Sequence, residues 1–313
     1  MRSRTVLRWL LLVQALAAGG LAWTAMHYGA LHAPWLALAA GVLAVLLVRL
    51  VITANNFAMS ARFASATPDG FRLTGRARLH MFFEEYMATM LHSSWFMAFD
   101  AARERIYPAH GAPPVLLLHG YGCNAGYWTH FVRKLDSAQI SHASLDLEPV
   151  LGAIDDYVPG VASAVESLCA HSGAAKVIIV AHSMGGLVAR AYLREHGGER
   201  VAHVFTLGTP HHGTSLASFG IGRNAAQMRR GAGTDAAAAS DWLRTLADGE
   251  SAATRALITS IYTHHDNIVA PQTSSVLPGA RHIEFGGVGH VALGRNPRVL
   301  SRLMQEVANF ATR

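Results

Sequence analysis

Across 313 residues, hydrophobic side chains make up 51% and charged ones only 15%, an apolar excess for a water-soluble enzyme. The length accommodates one large domain with an appendage. The formal charge of +6 is not matched by a basic helix with interleaved aromatics or by any nucleic-acid module, which excludes a nucleic-acid partner.

Much of the charge imbalance lies at the start of the chain. Arg2, Arg4, Arg8, Arg49, Arg62, Arg72, Arg76 and Arg78 face a single acid there, Asp69. Between residues 9 and 48 no Asp, Glu, Lys or Arg occurs. A bilayer core takes about 20 apolar residues as helix, so this stretch divides into two spans, 9–28 and 33–53, broken around Gly29 and Pro34. Trp9, Trp23, Tyr28 and Trp35 fall where interfacial aromatics are expected. The preferred reading of residues 1–55 is a transmembrane helical hairpin acting as an anchor. A signal peptide followed by one span, or a pair of core helices, are the alternatives. Arginines flank both outer ends and are missing from the intervening loop, so the positive-inside rule puts the N-terminus and everything after the second span in the cytoplasm. The expected location is therefore a bacterial-type inner membrane, crossed twice.

Residues 56–112 read as a helical, amphipathic linker. Its segment 77–87, rich in Met and aromatics, is either a helix lying in the membrane interface or one packed on the following domain. The pattern changes after Pro113-Pro114. Apolar runs at 115–119, 142–147, 176–181, 203–208, 256–263 and 280–285 read as strands, and 124–135, 155–171, 184–196 and 298–310 as helices. Such alternation predicts a mostly parallel, doubly wound sheet covered on both faces, with the chemistry in loops after the strands. The stretch 211–255 is too long for a simple connection and is the expected lid or cap. It contains a small Ala/Gly-rich patch at 231–239.

The run Val177-Ile178-Ile179-Val180-Ala181-His182-Ser183-Met184-Gly185-Gly186 carries the chemistry. An apolar strand enters a serine and a helix starts at once. A turn that sharp strains the serine backbone and needs small residues two positions to either side, here Ala181 and Gly185. This is the nucleophile-elbow pattern, with Ala in place of its first Gly. A serine hydroxyl needs a base, and the base an orienting acid, in the chain order Ser, acid, His. His290, in a glycine loop between the last strand and last helix, is the candidate base among 18 histidines. Asp266, directly after the strand at 256–263, is the candidate acid, with a turn or helix-cap role as its alternative. Ser183, Asp266 and His290 are thus the expected catalytic residues. Two backbone amides should form the oxyanion hole: that of Met184, and one from the loop 118–124, assigned to Tyr121 with Gly122 as the alternative. His119 is expected to order that loop.

At these residues the chain resembles a known family. Leu118-His119-Gly120-Tyr121-Gly122, Ala181-His182-Ser183-Met184-Gly185-Gly186 and Leu207-Gly208-Thr209-Pro210-His211-His212-Gly213-Thr214 look like segments of the bacterial triacylglycerol lipases and esterases. The Ala-for-Gly elbow is similar to that of the small Bacillus-type lipases. The similarity spans about 113–310, and Ala226-Gln227-Met228-Arg229-Arg230-Gly231 resembles the lipase region before the acid.

The resemblance implies an α/β-hydrolase fold over 113–313 and a serine ester hydrolase acting on acyl-ester or lipid substrates. It differs from the secreted lipases in its N-terminal spans. No match to their calcium-ligating aspartates is found, so no metal and no cofactor are implied. His211 and His212 lack a partner at ligand spacing. Membrane lipids are the expected surroundings, and no obligate protein partner is implied. Acyltransferases, thioesterases and amidases share this machinery. A non-catalytic membrane scaffold is the alternative of a different class.

Overall fold

In the computed structural model, residues 2–108, 112–231 and 238–310 are described. Two long helices come first. Helix α1 (Ser3–His27) and helix α2 (Pro34–Arg62) are long and apolar enough to cross a membrane, by length and composition. Pro34 sits in the first turn of α2, where its missing N–H has no helical partner to lose. The helix runs on past residue 53 to Arg62, because Asn55-Asn56-Phe57-Ala58-Met59 ends the apolar run without breaking the helix. Small residues line the seam between α1 and α2: Ala18, Ala22, Ala37 and Gly41 are buried. Most large side chains of both helices point outward, with Leu16 and Leu43 each 66% exposed.

The segment expected as a linker, 56–112, is largely helical among its described residues. Helix α3 (Gly75–Leu91) is capped by the Thr74 hydroxyl, which accepts from the Ala77 amide. A π-helical turn at 92–96 joins it to the short helix α4 (Met97–Phe99). Of the two readings for 77–87, packing on the following domain is the one observed: Met81, Glu85 and Ala88, at positions i, i+4 and i+7, are buried against it. Leu79, Phe83 and Met87 stay exposed on the other side. Strand β1 (Glu104–Arg105) also belongs to the sheet, which the sequence did not reveal because two charged residues carry no periodic signal.

Beyond it, strands and helices alternate. They are β2 (Val115–Leu118), α5 (Thr129–Ser137), β3 (His142–Leu145), α6 (Val158–Ser172), β4 (Val177–His182), α7 (Met184–His196) and β5 (Val201–Leu207). After β5 come α8 (Arg223–Gln227), α9 (Asp241–Asp248), α10 (Ala252–Ala256), β6 (Ile258–Thr263), β7 (Arg281–Phe285) and α11 (Pro297–Ala308). Every expected strand and helix of this region is present, with ends moved by a few residues. The stretch expected as a lid forms a 3-10 turn at 215–219 and the short helices α8, α9 and α10. Part of its Ala/Gly-rich patch, 232–237, lies outside the described residues.

The seven strands are ordered β1-β3-β2-β4-β5-β6-β7, parallel except for β1. Alternate strand residues feed two cores. Leu116, Leu118, Ile179 and Val204 pack under α6 and α7, while Leu117, Ile178, Val180 and Phe205 pack under α5 and α11. Winding reverses at β2, whose neighbours are β3 on one side and β4 on the other. Ligands of open α/β sheets bind outside the carboxyl ends of the strands at such a switch.

Candidate active site

Ser183 lies at the carboxyl end of β4, beside that switch. Its backbone is at φ +54° and ψ −124°, left-handed for a residue with a Cβ and costing of order 1–3 kcal/mol. Three bonds hold it there. Its amide donates to the Leu207 carbonyl at 2.8 Å, and its carbonyl accepts from the Gly186 amide at 3.0 Å and the Thr209 hydroxyl at 2.9 Å. The need for a small residue at 185 has a direct cause, since a Cβ there would lie 2.6 Å from the carbonyl oxygens of both Leu118 and His119.

His290 and Asp266 meet at the ends of β7 and β6. The Nδ1 of His290 lies 2.8 Å from Oδ2 of Asp266, and both side chains are buried. The other carboxylate oxygen of Asp266 accepts from the amides of Ile268 and Val269, fixing the acid's orientation. Burial disfavours charge on the imidazole. The Asp266 carboxylate and its hydrogen bond, with a smaller push from Glu85, outweigh that and raise the His290 pKa above the ordinary histidine value. The ring packs on His182, the residue before Ser183, with centroids 4.6 Å apart. His182 is itself stacked on Tyr127, and its Nε2 faces the His290 carbonyl at 3.2 Å. Burial first, then the neighbouring imidazole, holds His182 far below the usual histidine pKa and therefore neutral.

The loop after β2 closes over the serine, so near that a Cβ on Gly120 would stand 2.8 Å from the Ser183 Cβ. His119 orders this loop. Its Nε2 accepts from the Leu147 amide at 2.8 Å, which leaves Nδ1–H to donate to the Gly120 carbonyl at 2.9 Å. Among the described residues no protein acceptor pairs with the amides of Tyr121, Gly122 or Met184. The Met184 amide is also the first of α7, where the helix dipole favours negative charge. The Tyr121 hydroxyl bonds both the carbonyl and the amide of Ile221, tying this loop to the segment after β5.

A cavity of about 410 Å³ opens above Ser183. Tyr121, Leu216, Phe219, Met228 and Val269 form one part of its lining, and Asn55, Asn56 and Met59 of α2 form another. His211 and His212 lie elsewhere and make structural bonds: His211 to Thr206 and Arg190, His212 to the Val276 carbonyl.

Several contributors escape the sequence reading. The carboxylate of Glu85 on α3 accepts from the amides of Val291 at 3.0 Å and Ala292 at 2.8 Å, directly after His290. Asn267 accepts from the His290 amide, and Gln272 donates to the Asp266 carbonyl. A carboxylate on the buried stripe of a helix was the available signal for Glu85. Its partners lie more than 200 residues away, beyond any local pattern.

A family model described as alpha/beta hydrolase fold matches residues 113–234. A triacylglycerol lipase of Pseudarthrobacter phenanthrenivorans is 33% identical over 119 residues, covering 34% of this chain and 35% of that one. One of Burkholderia plantarii is 33% identical over 119 residues, covering 34% and 32%. The chain thus spans about a third of the length of these relatives. The mature form of Bacillus licheniformis lipase BlEst2 superposes with a TM-score of 0.56 at 17% identity, covering 66% of this chain and 97% of that one. Aspergillus fumigatus lipase B gives a TM-score of 0.51 at 21% identity, covering 64% and 54%. The parallel sheet with its reversal at β2, the serine turn after β4 and these matches together give the chain an α/β-hydrolase fold.

Proposed function

We propose that the protein is a membrane-anchored serine hydrolase that cleaves carboxylic esters through an acyl-enzyme on Ser183. The observation that carries this is a serine held at φ +54° that lines an apolar cavity, directly after His182, whose ring packs on the His290 of a buried Asp266–His290 pair. Ser183 Oγ attacks the ester carbonyl carbon while its proton passes to Nε2 of His290. Asp266 holds Nδ1–H and stabilises the imidazolium. The carbonyl oxygen, now an oxyanion, accepts from the amides of Tyr121 and Met184. As the intermediate collapses, the C–O bond to the alcohol breaks and the leaving oxygen takes the proton from His290. Water then enters by the reverse sequence, its proton going to His290, and the acid leaves as Ser183 regains its hydroxyl. The triacylglycerol lipases among the relatives favour acyl-lipid substrates.

The hairpin serves in this reading as a two-pass anchor in a bacterial-type inner membrane, with the catalytic domain in the cytoplasm. Its outward apolar surface and its seam of small residues suit lipid surroundings, where close backbone approach rather than hydrophobic burial holds helices together.

The test is hydrolysis of p-nitrophenyl esters from acetate to palmitate by detergent-purified protein and by Ser183→Ala. The variant should lose roughly 10⁴–10⁶-fold in kcat, keeping only what the oxyanion amides and binding supply. Equal rates in the two proteins would refute the proposal.

A further inference from the structure

We propose that the last third of α2 is part of the substrate-binding site, so that the membrane hairpin forms a wall of the acyl pocket and selects a bilayer-resident long-chain ester. The inference rests on the serine-hydrolase reading above and adds the source and class of the substrate.

The cavity over Ser183 is lined from the α2 side by Asn55, Asn56 and Met59. These residues directly follow the apolar run of that helix. A hydrocarbon core of about 30 Å takes up about 20 helical residues, which starting from Pro34 ends near Thr53. At a rise of 1.5 Å per residue, Met59 stands about 9 Å beyond that boundary, within the headgroup layer. The cavity mouth is therefore level with the glycerol and ester groups of a lipid, and its apolar interior offers room for an acyl chain. Phe219, 68% exposed, and Ile221, 67% exposed, flank the same region from the catalytic domain.

The position of α2 is fixed against the catalytic residues rather than floating. Helix α2 touches the turn 215–219 of the cavity wall, and Phe57 packs on Phe82 of α3 at 5.7 Å. Just past the helix, the Ser65 amide donates to Oε1 of Gln272 at 3.0 Å, and Nε2 of Gln272 donates to the Asp266 carbonyl at 2.8 Å. The exit from the membrane helix is thus bonded, through one glutamine, to the loop that carries the acid.

Asn55 and Asn56 follow the apolar run of the helix, Asn55 exposed and Asn56 partly buried. Their amides supply both donors and acceptors to the polar end of a lipid, while Met59, flexible and apolar, meets its acyl portion.

The experiment uses the full chain in phosphatidylcholine vesicles carrying p-nitrophenyl acetate or palmitate, with fluorophosphonate labelling of Ser183 as an independent readout. Met59→Trp narrows the pocket and should lower the palmitate-to-acetate ratio of kcat/KM by about tenfold or more. Met59→Ala, which cannot overpack, should move the chain-length preference toward longer esters. Val48→Trp, on an exposed lipid-facing position, is the control and should leave the profile as in wild type. Wild-type activity with an unaltered chain-length profile in both Met59 variants would overturn the inference alone. Absence of ester hydrolysis and of labelling in the wild type would overturn the serine-hydrolase reading and this inference with it.

Discussion

Glu85 is a buried carboxylate bonded to the two amides that directly follow His290, the proposed base. Burial pushes its own pKa up, opposed by the amides of Val291 and Ala292 that its two oxygens accept. Its negative charge adds to that of Asp266 in raising the pKa of His290. In the proposed mechanism His290 must be neutral to take the serine proton, so activity should fall as pH drops through its pKa. A raised pKa places that acid limb above the ordinary histidine range. Replacing Glu85 by Gln keeps the shape and removes the charge, so the His290 pKa should fall and the acid limb of kcat/KM should shift to lower pH. A profile that loses height without moving would show that Glu85 only braces the loop.

Among the elements, α7 carries the second buried network. Arg190, about two turns beyond Ser183, is fully buried and makes a bidentate pair with Glu250 at 2.6 and 2.8 Å. Its third contact is the His211 carbonyl at 3.1 Å, and Arg255 joins the same carboxylate at 3.2 Å. The helix behind the serine is thereby bonded to both ends of the segment that roofs the cavity. Glu250→Ala leaves a guanidinium buried without its counter-ion and should cost about 3–5 kcal/mol of stability. Thermal melting in detergent checks this: a midpoint equal to that of wild type would mean that the roof segment is held by its apolar contacts alone.

On the scale of the whole molecule, the distribution of arginines bears on the proposed membrane topology. Arg2, Arg4 and Arg8 precede the first helix, and Arg62, Arg72, Arg76 and Arg78 follow the second, while the connecting residues 28–33 hold none. The proposed hairpin then returns the chain to the side on which it began. Alkaline phosphatase fused after Phe310 should be inactive in a bacterial host and a fluorescent protein at the same point should fold. Active phosphatase would reverse the topology.

How much of this was legible beforehand follows from the range of each interaction. Strand, turn and helix around Ser183 depend on neighbours within a few residues: an apolar run, Ala181 and Gly185 to either side, and an immediate helix start. Chain order then singled out Asp266 and His290 as expectations, because the loops after successive strands must share one edge of a parallel sheet. The two apolar helices were equally local, since composition alone marks them. Tertiary structure decided what depends on distant partners. It docked α3 on the domain through Glu85 and added β1 to the sheet. It carried α2 beyond its apolar run, so that Asn55, Asn56 and Met59 stand over a serine more than a hundred residues away. Periodicity reports which face of a helix is apolar, but only packing decides what that face meets.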